Sequence, residues 1–236
     1  MESCRRYAVY FTPPPCPLAD FGAAWLGWDM AEAREVPGPD LPALPVARDQ
    51  ITAQPRRYGL HATLKAPFRL APGADAAALL DAMRVTAAGL PALVLTGGLE
   101  LADLSDCLAL VPARPQPALD AMAAHLVEEL DLFRAPLTPA EHARRNPARL
   151  TPRQRALLDR WGYPFTHDQF GFHITLTGPL PDRDRQATRA ALVPLLSPLL
   201  ADPFPIASLT LAGEDSSGMF RELARVALRR PAIAAG

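Results

Sequence analysis

The sequence predicts an α+β fold of two antiparallel-sheet lobes, flanked by helices, related by a pseudo-twofold axis and sharing a central cleft. Three observations predict it. The stretch Tyr58-Gly59-Leu60-His61-Ala62-Thr63-Leu64-Lys65-Ala66-Pro67-Phe68 returns 112 residues later as Phe170-Gly171-Phe172-His173-Ile174-Thr175-Leu176-Thr177-Gly178-Pro179-Leu180, identical at five of eleven positions, and self-similarity at this length marks a duplicated unit. Each copy is followed by a helical pattern and then by two runs suited to strands, so each half reads strand, helix, strand, strand. The 236 residues, 49% of them hydrophobic, lie between one large domain and two small lobes, and a chain of this size buries about 70% of its unfolded surface. We expect one bilobal domain over 1–236, with a first lobe to about residue 135, an inserted arm over about 136–166 and a second lobe from about 167.

Taken in order, Tyr7 to Phe11 is rich in strand formers. Pro13 to Gln54 reads as a long connection with a short helix around Phe21 to Trp28, and its punctuation reflects 27 prolines, roughly twice ordinary usage. After the first motif strand, Ala74 to Leu90 reads as a helix, Ala92 to Leu101 as an alternating run and Cys107 to Val111 as a second strand. Leu119, Met122, Leu126, Val127 and Leu130 recur at helical spacing within Pro117 to Phe133. Pro136 to Phe165 falls outside the repeat and carries Arg144, Arg145, Arg149, Arg153, Arg155 and Arg160; Thr151-Pro152 is a good cap and first position for a helix running to Trp161. After the second motif come a helix over Asp182 to Leu200, a run over Pro205 to Ala212 and a closing strand over Met219 to Leu228.

The charge balance, 24 basic against 25 acidic side chains, argues against disorder and against long nucleic acid as a partner. Cys4, Cys16 and Cys107 form no Cys-x-x-Cys pair, which fits neither a zinc knuckle nor a disulfide framework and suggests a cytoplasmic setting. No signal peptide is expected at Met1 to Tyr7, and no apolar run approaches the 18 or so residues of a membrane span. Gly-x-Ser-x-Gly and Gly-x-x-x-x-Gly-Lys motifs are both missing, and two histidines without a carboxylate cluster do not complete a zinc hydrolase's ligand set, so neither metal nor cofactor is expected.

Period two sorts each motif strand into two faces: His61, Thr63 and Lys65 against Leu60, Ala62 and Leu64, and His173, Thr175 and Thr177 against Phe172, Ile174 and Leu176. If the halves pack about a twofold, two imidazoles and two hydroxyls surround one cleft. A neutral imidazole can then take a proton from an attacking oxygen while a protonated one gives a proton to the leaving oxygen, and the threonines can donate to phosphate oxygens. The basic candidates for further phosphate contacts are Lys65, the only lysine among 24 basic residues, Arg56 or Arg57 just before the motif, and Arg144 and Arg145 in the arm. His125, His142 and His167 sit in a helical or loop pattern and are given no role.

Two His-x-Thr motifs inside a matched repeat resemble those of the two-histidine (2H) phosphoesterase superfamily. The flanks Arg56 to Phe68 and Gly171 to Leu180 are similar, more narrowly, to a bacterial branch found with phosphonate-metabolism genes. The resemblance implies metal-independent opening or cleavage of a small phosphodiester, with His61 and His173 as the acid–base pair and Thr63 and Thr175 as phosphate ligands. The branch implies a ribose 1,2-cyclic phosphate carrying a 5-phosphate as substrate. An RNA-end-processing or ligase role on the same fold, and a non-catalytic protein that only binds a nucleotide or cyclic phosphate, remain open at this point.

Overall fold

A computed structural model describes residues 4–39 and 41–230. In chain order the elements are β1 (Tyr7–Phe11), α1 (Pro17–Leu26), β2 (Trp28–Asp29), β3 (Arg34–Glu35), α2 (Arg48–Ile51), α3 (Ala53–Arg56), β4 (Ala62–Phe68), α4 (Ala76–Gly89), β5 (Leu93–Leu95), β6 (Leu99–Leu104), β7 (Cys107–Pro112) and α5 (Pro117–Glu129). There follow α6 (Pro139–Arg144), α7 (Pro152–Trp161), β8 (Ile174–Thr175), α8 (Asp182–Leu196), β9 (Phe204–Ile206), β10 (Ser208–Glu214) and β11 (Phe220–Ala227). The fold is α+β, as expected. No helix among the described residues is long and apolar enough to cross a membrane.

Local chemistry explains most boundaries. The first helix starts four residues before Phe21 because Pro17 occupies its first turn, and it stops at Gly27 in the left-handed region with φ 78°. The expected run over Ala92 to Leu101 is cut in two: Gly97 and Gly98 take φ of 86° and 66° and turn the chain between β5 and β6. Thr151 caps α7 through a complete capping box with Gln154, and Thr138 does the same for α6 with Glu141. The second motif strand is far shorter than the first. Beyond Thr175 the Leu176 and Thr177 N–H groups both donate to the Leu108 carbonyl at 2.9 and 3.3 Å, and the Leu108 N–H donates to the Thr177 hydroxyl at 2.9 Å, so a side chain ends the ladder.

Seven strands form one antiparallel sheet in the order β11-β10-β1-β4-β8-β7-β6, while β5 and β9 pair as a separate ribbon. The two motif strands are central neighbours joined by one residue pair, Ala62 opposite Ile174. That pair is offset by 112 positions, the offset of the repeat, so the local twofold passes through the middle of the sheet. The strand pairing does not follow the halves of the repeat. Behind β4 the helix α4 stays against its own half-sheet by packing on β11, after which the chain crosses to place β7 and β6 beside β8; α8 packs on β7, and the chain crosses back to add β10 and β11 beyond β1. The strand pairs β6–β7 and β10–β11 are thus exchanged between the halves: β7 and β6 of the first half lie beside β8, and β10 and β11 of the second lie beyond β1, which flanks β4 from its own half.

One face of the sheet is covered by helices. Val9, Phe11, Ala62, Leu64, Leu110 and Ile174 pack there with Leu79 and Met83 of α4, Leu119, Met122 and Leu126 of α5, and Leu192 and Leu196 of α8. The opposite face holds only a small apolar cluster, including Ala8, Tyr10 and Phe220, at one side, and is otherwise the floor of a cleft.

Candidate active site

Antiparallel register builds the site directly. With Ala62 opposite Ile174, continuing the pairing by one residue each way sets Thr63 opposite His173 and His61 opposite Thr175, each imidazole beside the other motif's hydroxyl and roughly 5 Å apart at Cβ. All four side chains line one cleft of about 670 Å³, within the range of small-ligand sites. The expected four residues are therefore brought together.

The two histidines are held alike. His61 Nδ1 lies 2.9 Å from the Gly59 carbonyl oxygen, and His173 Nδ1 lies 2.8 Å from that of Gly171. A carbonyl oxygen only accepts, so each Nδ1 carries a proton and each Nε2 is the nitrogen free to exchange one. His61 Nε2 is 3.2 Å from the Thr63 hydroxyl. Burial, the largest influence, together with the charge of His173, outweighs the Gly59 contact and lowers the His61 pKa to about 4. Its ring packs beside those of Tyr10, centroids 4.1 Å apart, and Tyr58, 5.7 Å apart.

The cleft wall is basic. Arg5, Arg6, Arg57, Arg69, Arg144 and Arg145 line it against two carboxylates, Glu141 and Glu214, in a chain of net charge -1. Arg6 chelates Glu214 at 2.6 and 2.8 Å and Arg69 chelates Glu141 at 2.9 and 3.0 Å. Arg57 reaches Glu214 at 3.6 Å. Arg145 lies over the Tyr163 ring at 4.9 Å and, like Arg144, has no carboxylate partner among the described residues. Arg144 and Arg145 both line the cleft, and a wall of this charge suits an anion.

Two expectations need correction. Lys65 does not reach the cleft: the pairing of β1 with β4 slips between Tyr10 opposite Thr63 and Val9 opposite Lys65, and this bulge turns Lys65 to the helix-covered face. There it is 3% exposed, donates to the Val127 carbonyl at 2.9 Å and sits 3.6 Å from Asp131. Burial, partly offset by Asp131, lowers its pKa to about 8. Arg56 is also absent from the cleft, because its guanidinium donates to the Leu26 carbonyl at 2.8 Å and to Asp49 at 2.7 Å, tying α1 to α3; its neighbour Arg57 takes the cleft position. Sequence reasoning missed Arg5, Arg6, Arg69, Tyr10, Tyr163 and Glu214, which reach the cleft only through strand pairing or the folding back of the arm. The glycine two residues before each histidine was a visible signal of the shared Nδ1 contact.

Among the described residues no group of three His, Cys, Asp or Glu side chains is placed to hold a metal. His125 and His167 face Glu129 and Glu128, and His142 faces Asp159, away from the cleft.

An antiparallel α+β sheet with two His-x-Thr strands meeting at its centre is the architecture that the two-histidine resemblance implied. The chain belongs to the family described as "Protein of unknown function (DUF1045)", which matches residues 63–221. It is 41% identical over 223 residues to Ribose 1,5-bisphosphate phosphokinase PhnN of Janthinobacterium sp. (strain Marseille), covering 92% of this chain and 49% of that protein. It is 37% identical over 180 residues to the protein of the same name from Laribacter hongkongensis (strain HLHK9), covering 76% and 41%. The chain spans about half the length, or less, of these curated relatives. Solved structures similar to it include E. coli LigT in apo form, at TM-score 0.44 and 17% identity over 97% of this chain and 99% of that one, and E. coli LigT complexed with 3'-AMP, at TM-score 0.41 and 17% identity over 96% and 99%.

Proposed function

We propose that the chain is a phosphodiester hydrolase that opens a small cyclic phosphate by acid–base catalysis between His61 and His173. The observation that carries this reading is the pair of Nε2 atoms, each with its Nδ1 proton held by a glycine carbonyl, in a cleft walled by arginine. Neutral His61, its pKa near 4, takes a proton from water as the water oxygen bonds to phosphorus. The P–O ester bond breaks, and His173 gives its Nε2 proton to the leaving oxygen. Each role is worth about 10²- to 10⁴-fold in rate. Thr63 and Thr175 donate to the non-bridging oxygens, contacts of about 1.5–3 kcal/mol to a charged acceptor. No step calls for a metal.

For the substrate we infer ribose 1,2-cyclic phosphate carrying a 5-phosphate. Water attack with cleavage of the bond to O2 yields ribose 1,5-bisphosphate, the compound in the name of the curated relatives. This chain has no Gly-x-x-x-x-Gly-Lys loop, so in such a relative the remaining length is the natural home of the kinase chemistry, and one chain would make and consume the same product in phosphonate breakdown. Arg57, Arg144 and Arg145 supply the charge for the 5-phosphate.

The test is turnover of ribose 1,2-cyclic phosphate with and without the 5-phosphate, and of 2′,3′-cyclic nucleotides, with and without chelator, products read by phosphorus NMR. We expect turnover that survives chelation and a kcat/KM about 10- to 100-fold higher with the 5-phosphate. Equal rates on both sugars would remove the substrate inference; loss with chelator, restored by added metal, would remove the metal-free mechanism.

A further inference from the structure

The hydroxyl of Tyr10 is buried and has no hydrogen-bond partner among the described residues; the residue is 0% exposed and lies in the cleft wall. A buried hydroxyl is ordinarily paired, and one left open in a native fold calls for an explanation. Its position supplies one. In the β1–β4 pairing Tyr10 stands opposite Thr63, so the two side chains share the cleft face of adjacent strands. Its ring lies 4.1 Å from that of His61, and Arg6, Tyr58, Tyr163 and Glu214 surround it closely enough to act on its charge. The Glu214 carboxylate, the one strong acceptor in that group, is already chelated by Arg6. Among the described residues none takes the phenolic proton, while the charged groups that act on it, Arg6 and Glu214, both line the cleft.

We propose that Tyr10 is a third hydrogen-bond donor of the phosphate site, its buried hydroxyl unpartnered among the described residues of the free protein and turned to a phosphate oxygen of the bound substrate beside Thr63. This rests on the phosphoester reading above and extends it by one substrate contact. Burial holds the phenol well above its ordinary pKa, so it stays a donor across the working range of an imidazole pair. The ring has a separate role: with Tyr58 it fixes the plane of His61, which needs no hydroxyl.

Tyr10→Phe isolates the hydroxyl, because it keeps the ring against His61. Three quantities are measured on wild type and variant: thermal stability of the free protein, the stabilisation given by inorganic phosphate, and kcat/KM on the best cyclic phosphate. The proposal expects the free variant to be as stable as wild type or more so, since no internal hydrogen bond is lost. It also expects the phosphate-induced shift to shrink, kcat/KM to fall about 10- to 100-fold, and the pH profile set by the histidines to keep its shape. A free variant less stable than wild type would assign the hydroxyl a structural partner and overturn the proposal. So would an unchanged phosphate shift and kcat/KM, or a wild type that phosphate does not stabilise. If the wild type turns over no cyclic phosphate yet loses its phosphate shift on Tyr10→Phe, the hydrolase reading falls and the Tyr10 assignment stands.

Discussion

Two glycine carbonyls decide how the histidines can act, since each fixes one nitrogen as a donor and turns the other to the cleft. His61→Ala and His173→Ala should each lower kcat by at least about 10²-fold, with His125→Ala as a control that changes neither kcat nor KM, all read by steady-state kinetics. Burial gives His61 a second, thermodynamic signature. Folded, it takes a proton only near pH 4; unfolded, near 6.5. Between those values the unfolded chain binds more protons, so stability rises with pH, the contribution being complete above about 6.5 and gone below about 4. Urea denaturation from pH 4.5 to 7 should therefore show a flatter stability curve for His61→Gln than for wild type. At this scale the His-x-Thr pairs were legible because period two alone sorts their side chains. Lys65 was misread because a bulge, which depends on the partner strand, inverts the parity after Thr63. Tyr10 was invisible for the related reason that its neighbour Thr63 is a neighbour only across the sheet.

At the scale of elements, the arm is short helices held by caps and by two chelates, Arg69 on Glu141 and Arg153 on Asp168, with Leu157 and Leu158 as the buried apolar residues of α7. Thr138 and Thr151 close capping boxes on α6 and α7, and the second was readable from Thr151-Pro152. Thr151→Ala should cost about 1 kcal/mol, measured by denaturant unfolding. Arg69, just beyond the first motif strand, chelates Glu141 of α6 and so sets where Arg144 and Arg145 stand. Arg69→Ala should raise KM for a substrate bearing a second phosphate while leaving kcat on an unphosphorylated cyclic ester nearly unchanged; equal effects on both would deny the arm a role in recognition. The helix behind the motif strand is of another kind: Leu126 of α5 is fully buried in the core, and Leu126→Ala should cost about 2–5 kcal/mol.

For the whole molecule, the repeat made a twofold cleft legible, and its offset reappears in the central pair Ala62 opposite Ile174. The exchange of β6–β7 and β10–β11 between the halves was not legible, because strand patterns record which face is apolar and not which neighbour supplies the hydrogen bonds. That exchange also governs how the chain finds its shape. Tyr7 pairs with Gly213, so one edge of β1 waits for a strand about 200 residues downstream, and β8 has its ladder partners in β4 and β7, both far upstream. A sheet closed by such distant contacts folds slowly and in an all-or-nothing way, since loop-closure entropy is spent before the ladder returns it. The floor of the cleft is made of these same late pairings. Phosphate binding should accordingly appear only with the slowest refolding phase followed by tryptophan fluorescence, and a nascent chain stalled before Ser208 should remain protease-sensitive over its first strand however long it waits.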